Sequence, residues 1–164
     1  MSGLEDLYRE IILDHYRSPR NRGELATPPA HRVEGFNPLC GDEIVVYIDV
    51  DDPAKGDAAV VTDIRIGGQG CSISQSSASM MSAAVKGRTV GEIHDLTRAF
   101  KAMMSIHEEG LEGAESEAPT DVSELKLGDL EALRGVVKFP VRIKCATLSW
   151  NTLAQGLDEA AAEV

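Results

Sequence analysis

Three cysteines and one aspartate stand out from an otherwise ordinary sequence. They are Cys40 with Asp42 in the run Cys-Gly-Asp, Cys71 directly after Gly67-Gly68-Gln69-Gly70, and Cys145. Residues two apart in extended backbone project to the same side, so Cys40 and Asp42 can approach one ion together. Three soft thiolates and one carboxylate oxygen suit a tetrahedral zinc ion, at about 2.3 Å to sulfur and about 2.1 Å to oxygen. Coordination holds thiols deprotonated at neutral pH, and a deprotonated thiol that leaves the ion is a nucleophile. The full set would leave zinc with a formal excess of two negative charges (three thiolates and a carboxylate against Zn²⁺). Arg142 and Lys144 are nearby candidates to offset that excess, and plain surface residues otherwise. Spacing alone leaves a second reading open: buried cysteines also serve as small apolar residues, and Cys-x-Asp is a weaker signal than a paired Cys-x-x-Cys.

The elements that would bring these groups together follow from local patterns. Ser2 and Glu5 have capping-box spacing, and Leu4, Leu7, Ile11, Ile12 and Leu13 form a helical apolar stripe ending near Ser18-Pro19. Val- and Ile-rich runs over Glu43–Val50 and Val60–Ile66, separated by the turn-prone 51–57, predict an antiparallel hairpin. A third strand is expected at Arg32–Phe36. Small residues with Met80, Met81 and Val85 predict a packed helix over Ser72–Lys86, with Gly87 placed to end it. Thr89 and Glu92 repeat the capping box before a helix carrying Ile93, Leu96, Phe100, Met103 and Met104. A short helix over Leu127–Val137 and a longer one over Cys145–Ala162 complete the list. On this reading all three thiols sit at junctions between elements, and Cys71 and Cys145 gain from the positive end of a helix.

Composition agrees with one domain spanning 1–164, of α+β class: a small antiparallel sheet of about three strands packed against several helices. The 43% hydrophobic and 26% charged residues are near globular averages. With aromatics at only 4%, the core must rest on aliphatic side chains and Met. Residues 108–121 hold five glutamates, two glycines and a proline, the composition of an acidic solvated loop. A formal charge of −11 repels phosphate, which argues against nucleic acid and anionic membranes as partners and favours a protein surface. Charged residues interrupt Met1–Tyr16 where a secretory signal needs an apolar run, so the cytoplasm is expected. There an odd number of cysteines points to metal or thiol chemistry rather than disulfides.

Read in order, Ile12-Leu13-Asp14-His15-Tyr16-Arg17-Ser18-Pro19-Arg20-Asn21-Arg22-Gly23, then Asn37-Pro38-Leu39-Cys40-Gly41-Asp42, then Gly70-Cys71-Ser72-Ile73-Ser74-Gln75-Ser76-Ser77-Ala78-Ser79-Met80-Met81 resembles the IscU-like iron–sulfur assembly proteins over essentially the whole chain. IscU-type members carry histidine immediately before the third cysteine. Here that residue is Lys144, and Lys144-Cys145-Ala146-Thr147-Leu148-Ser149-Trp150 is similar to the SufU type. The extra stretch between Cys71 and Cys145 points the same way.

The resemblance implies a closed zinc site and sulfur transfer from a pyridoxal-phosphate cysteine desulfurase to Cys40. A histidine of the desulfurase takes the place of Cys40 on the metal while Asp42, Cys71 and Cys145 keep the ion, and Arg142 supports the docked or sulfur-loaded state. Delivery to a downstream iron–sulfur scaffold follows. The alternatives are a scaffold that itself builds a [2Fe–2S] cluster and a purely structural zinc module.

Other motifs read as structure. The glycine run lacks the Gly-Lys-Ser/Thr of a phosphate loop and is expected to shape the approach to Cys71. His107-Glu108-Glu109 lacks the second histidine of a zincin and reads as a solvated helix end. His15, His31 and His94 are expected in surface or satisfied structural roles. Trp150 and the methionine pairs are expected in the core. Arg17, Arg20 and Arg22 form a solvated turn by default.

Overall fold

The computed structural model describes residues 3–27, 30–38, 41–104, 130, 132–133, 136 and 140–162. Helix α1 (Gly3–Arg17) precedes strands β1 (His31–Asn37), β2 (Asp42–Val50) and β3 (Val61–Gln69). Helices α2 (Ser72–Val85), α3 (Val90–Met104) and α4 (Pro140–Ala162) follow. The strands form one antiparallel sheet in the order β1-β2-β3, so the expected hairpin and the third strand are both present. The expected acidic loop lies outside the described residues. Of the expected helix at Leu127–Val137, Leu130, Ala132, Leu133 and Val136 are described, and all four are buried.

Alternation decides which face of the sheet is covered. Ile44, Val46 and Ile48 of β2, with Val33, Ile64 and Ile66 beside them, point to one side and join a single apolar cluster with α2, α3 and α4. The shortage of rings is met as composition demands: Met80, Met81 and Met104 are buried, and Trp150 stacks on Phe100 with centroids 5.0 Å apart. The capping box of α3 forms reciprocally, Glu92 N–H to Thr89 Oγ1 at 3.1 Å and Thr89 N–H to Glu92 Oε1 at 2.9 Å. Among the described residues no helix is long and apolar enough to cross a membrane.

Two boundaries differ from expectation, and both touch the chemistry. Helix α4 starts at Pro140, so Cys145 lies inside it, one turn in, rather than ahead of it. Proline is suited to a first helical turn because its missing N–H has no partner to lose there. The helix-end contribution expected at Cys145 is therefore withdrawn, since it fades beyond the first turn. In addition, Gly67, Gly68 and Gln69 belong to β3 rather than to a loop. Gly68 has φ +103, and a Cβ there would lie 2.3 Å from the Glu43 carbonyl oxygen, so close pairing with β2 selects glycine.

Helix α4 crosses the covered face of β1 and β2 at close range. A Cβ on Gly156 would stand 2.7 Å from both Val33 Cγ1 and Ile48 Cδ1. In an exposed helix, replacing glycine gains up to about 1 kcal/mol, whereas overpacking a filled core costs about 1–3 kcal/mol. Gly156→Val is therefore expected to lower unfolding free energy by about 1–3 kcal/mol, read from denaturant midpoints at an unchanged slope.

Candidate metal centre

Asp42 opens β2 directly opposite Asn37, the last residue of β1. Gly41, at φ +72, turns the chain between them, and its N–H donates to the Asn37 carbonyl at 2.8 Å. That turn delivers the Asp42 carboxylate to the covered side of the sheet, where it has 0% exposure. Cys71 arrives from β3, at the N-cap of α2, and its sulfur accepts the Ser74 N–H at 3.4 Å. Its own N–H donates to Asp42 Oδ1 at 2.9 Å, while Asp42 Oδ2 and the Cys71 sulfur are 4.0 Å apart. Cys145 comes from α4 and is 1% exposed. One ligand atom from each of Asp42, Cys71 and Cys145 lies within 4.8 Å of the other two.

The donor set fits a divalent ion. With about 2.3 Å to sulfur and about 2.1 Å to oxygen, tetrahedral edges run to roughly 3.6–3.8 Å, so these atoms need to close in by about an ångström at most. A buried carboxylate is costly without a positive partner. Among the described residues, no lysine, arginine or histidine pairs with Asp42. Space for the carboxylate comes from Gly70, where a Cβ would meet Asp42 Oδ1 at 2.5 Å.

The remaining expected site residues lie elsewhere. Cys40, two positions before Asp42, lies outside the described residues. Arg142 and Lys144 are exposed on the first turns of α4, and neither forms an ion pair with a described residue. His15 is buried, its Nδ1 2.7 Å from Ser79 Oγ, in the structural role expected. His31 meets Glu159 at 2.9 Å, a bond that holds the Glu159 carboxyl below the usual carboxylate range. His94 lies 3.7 Å from Asp57. Arg20 pairs with Asp14 at 2.6 Å, which likewise lowers the Asp14 carboxyl. Arg22 does more than fill a solvated turn: it reaches the strand and the helix on either side of Cys71.

Comparison with known proteins agrees with this arrangement. The NifU-like N terminal domain matches residues 7–146. The chain belongs to that family. It is 43% identical to the zinc-dependent sulfurtransferase SufU of Bacillus subtilis, over 95% of this chain and 92% of the relative. It is also 37% identical to the iron–sulfur cluster assembly scaffold protein IscU of Streptococcus pyogenes, over 98% of this chain and 89% of the relative. The N-terminal part of a nitrogen-fixing NifU-like protein from Brucella abortus superposes with a TM-score of 0.75 at 23% identity, covering 98% of each chain. At that identity the likeness speaks for the fold alone. The SufU-type resemblance and the α+β expectation both stand.

Two glycines beside Asp42 separate the needs of the backbone from those of the site. Gly70→Ala is expected to fold but to weaken zinc binding about 10- to 100-fold, because the methyl displaces the carboxylate. Gly41→Ala meets nothing within 4 Å, so the expected cost is about 1–2 kcal/mol of stability from the positive φ, with a smaller change in affinity. Competition against a chromogenic chelator, beside thermal melts, checks both.

Proposed function

We propose that this chain is a zinc-dependent sulfurtransferase of iron–sulfur cluster assembly, with one zinc ion held by Cys40, Asp42, Cys71 and Cys145. It receives persulfide sulfur from a SufS-type, pyridoxal-phosphate cysteine desulfurase and passes it to a downstream scaffold. The reading takes residues 1–164 as a single domain working in the cytoplasm. The observation that carries it is a fully buried Asp42 carboxylate, facing two cysteines with no cationic side chain paired to it among the described residues. The 43% identity to a relative named for zinc-dependent sulfur transfer supports the choice of chemistry. Lys144, standing where IscU-type proteins carry histidine, supports a closed four-ligand set over an open one.

Bound zinc supplies a cation that keeps the thiols ionised near neutral pH. The chain's own residues do the rest. Asp42, Cys71 and Cys145 come from three separate elements and hold their geometry through the sheet and two helices. Cys40 is two residues from Asp42, within about 7 Å along the chain, close enough to share the same ion. By the family resemblance, it is the ligand that leaves. Its thiolate attacks the outer sulfur of the desulfurase persulfide, a sulfur–sulfur bond forms on Cys40, and the desulfurase cysteine departs as thiolate. Arg142, exposed near the start of α4, supports the docked or sulfur-loaded state.

A second reading, a scaffold for a [2Fe–2S] cluster, is favoured by the 37% identity to a relative named as an IscU scaffold. The two part experimentally. A transferase purifies colourless with about one zinc per chain and accelerates cysteine turnover by a desulfurase. Cys40→Ala is expected to keep the fold and lose that acceleration, and mass spectrometry after a single turnover should place one added sulfur atom on the peptide carrying Cys40. Asp42→Ala is expected to lose zinc. Visible cluster bands on reconstitution with iron and sulfide, together with unchanged desulfurase kinetics, would favour the scaffold.

A further inference from the structure

The segment carrying Arg22 is fixed from two sides before its side chain reaches anything. Gly23 N–H donates to the Ile66 carbonyl at 3.0 Å and Ile66 N–H to the Asn21 carbonyl at 2.9 Å, which docks residues 21–23 along the open edge of β3. On the other side, Arg20 N–H donates to Ser79 Oγ at 2.8 Å, and Asn21 Nδ2 to Ser82 Oγ at 3.1 Å. From this base the guanidinium donates to the Gly68 carbonyl at 2.8 Å and to Gln75 Oε1 at 3.1 Å. Gly68 is three residues before Cys71 and Gln75 is four after, so Arg22 joins the strand end and the helix start that together present this thiol.

Arg22 also decides how the Gln75 amide is oriented. A guanidinium only donates, so the carbonyl oxygen must face it and the NH₂ group must face away. That nitrogen is buried and has no hydrogen-bond partner among the described residues. Leaving a buried donor unpaired is unfavourable, and such groups in native structures need an explanation. Gln75 N–H closes the first α-helical bond onto the Cys71 carbonyl at 3.0 Å, which puts the two residues one turn apart on the same face. Helical side chains lean toward the N-terminus, hence toward Cys71.

We infer that Arg22 is a positioning residue: by gripping Gln75 Oε1 it turns the Gln75 amide so that its nitrogen donates to the Cys71 sulfur when that sulfur is a metal-bound thiolate. This rests on the zinc reading above. The cationic guanidinium polarises the amide and strengthens the donated bond. Its effect is to draw charge off an electron-rich site and to keep Cys71 on the ion.

The test uses the full chain loaded with cobalt(II), whose thiolate-to-metal absorption reports charge on sulfur. Gln75→Leu removes the donor without adding charge, so a merely structural role predicts no spectral change in it, whereas Gln75→Glu keeps an acceptor for Arg22 but brings a negative charge of its own. The inference predicts a shift of the band to lower energy in Gln75→Glu and Gln75→Leu. It also predicts a rise of about 3- to 10-fold in the alkylation rate of Cys71, mapped by mass spectrometry. Arg22→Met should move both readouts the same way, and the Arg22→Met/Gln75→Leu double variant should go no further than Gln75→Leu alone. Wild-type spectra and rates in both Gln75 variants, or full additivity in the double variant, would overturn it. Absence of any thiolate band in the wild type would overturn the metal reading and this inference with it. Should Gln75→Leu fail to fold, the uncharged and more adaptable Gln75→Met carries the same comparison.

Discussion

A carboxylate at the head of the central strand, sealed from water, sets the terms for everything around it. Burying Asp42 is unfavourable unless positive charge reaches it, and no side chain described beside it supplies any. The neighbouring features are consistent with that demand. Gly41 turns the chain so that the carboxylate enters the covered side of the sheet, and Gly70 leaves the volume it occupies. Cys71 donates its backbone N–H to one carboxylate oxygen and holds its sulfur near the other. The stability of the fold and the chemistry of the site meet at this point, because a cation serves both.

The architecture explains how groups so far apart in sequence converge. Asp42 comes from the middle strand, Cys71 from the cap where β3 passes into α2, and Cys145 from inside α4. Each is carried by an element anchored in the common core, so the ligand atoms inherit the rigidity of the packing rather than that of a loop. Glycine at 156 lets α4 lie close on β1 and β2.

Much of this was legible in the residues. Runs of Val and Ile announced β2 and most of β3, and Thr89 with Glu92 announced the start of α3, because those signals are local. The misses are tertiary. Gly67 and Gly68 look like loop residues, yet they continue β3 because pairing with Glu43 leaves no room for a side chain at 68. Val141, Ile143 and Cys145 alternate with charged residues, which hides the first turns of α4 from a search for helical spacing. Arg22 reads as a solvated turn because its partners depend on a parallel bridge between distant segments. The convergence of Asp42, Cys71 and Cys145 was anticipated from residue type and resemblance, whereas the burial that makes Asp42 informative came only from the fold.

X-ray absorption at the zinc edge of the zinc-loaded full-length protein tests the central claim most directly, since it counts scatterers without relying on activity. The account predicts three sulfur atoms near ~2.3 Å and one oxygen near ~2.1 Å. A shell made only of nitrogen and oxygen, or one unaltered when Asp42 and Cys71 are replaced, would contradict it.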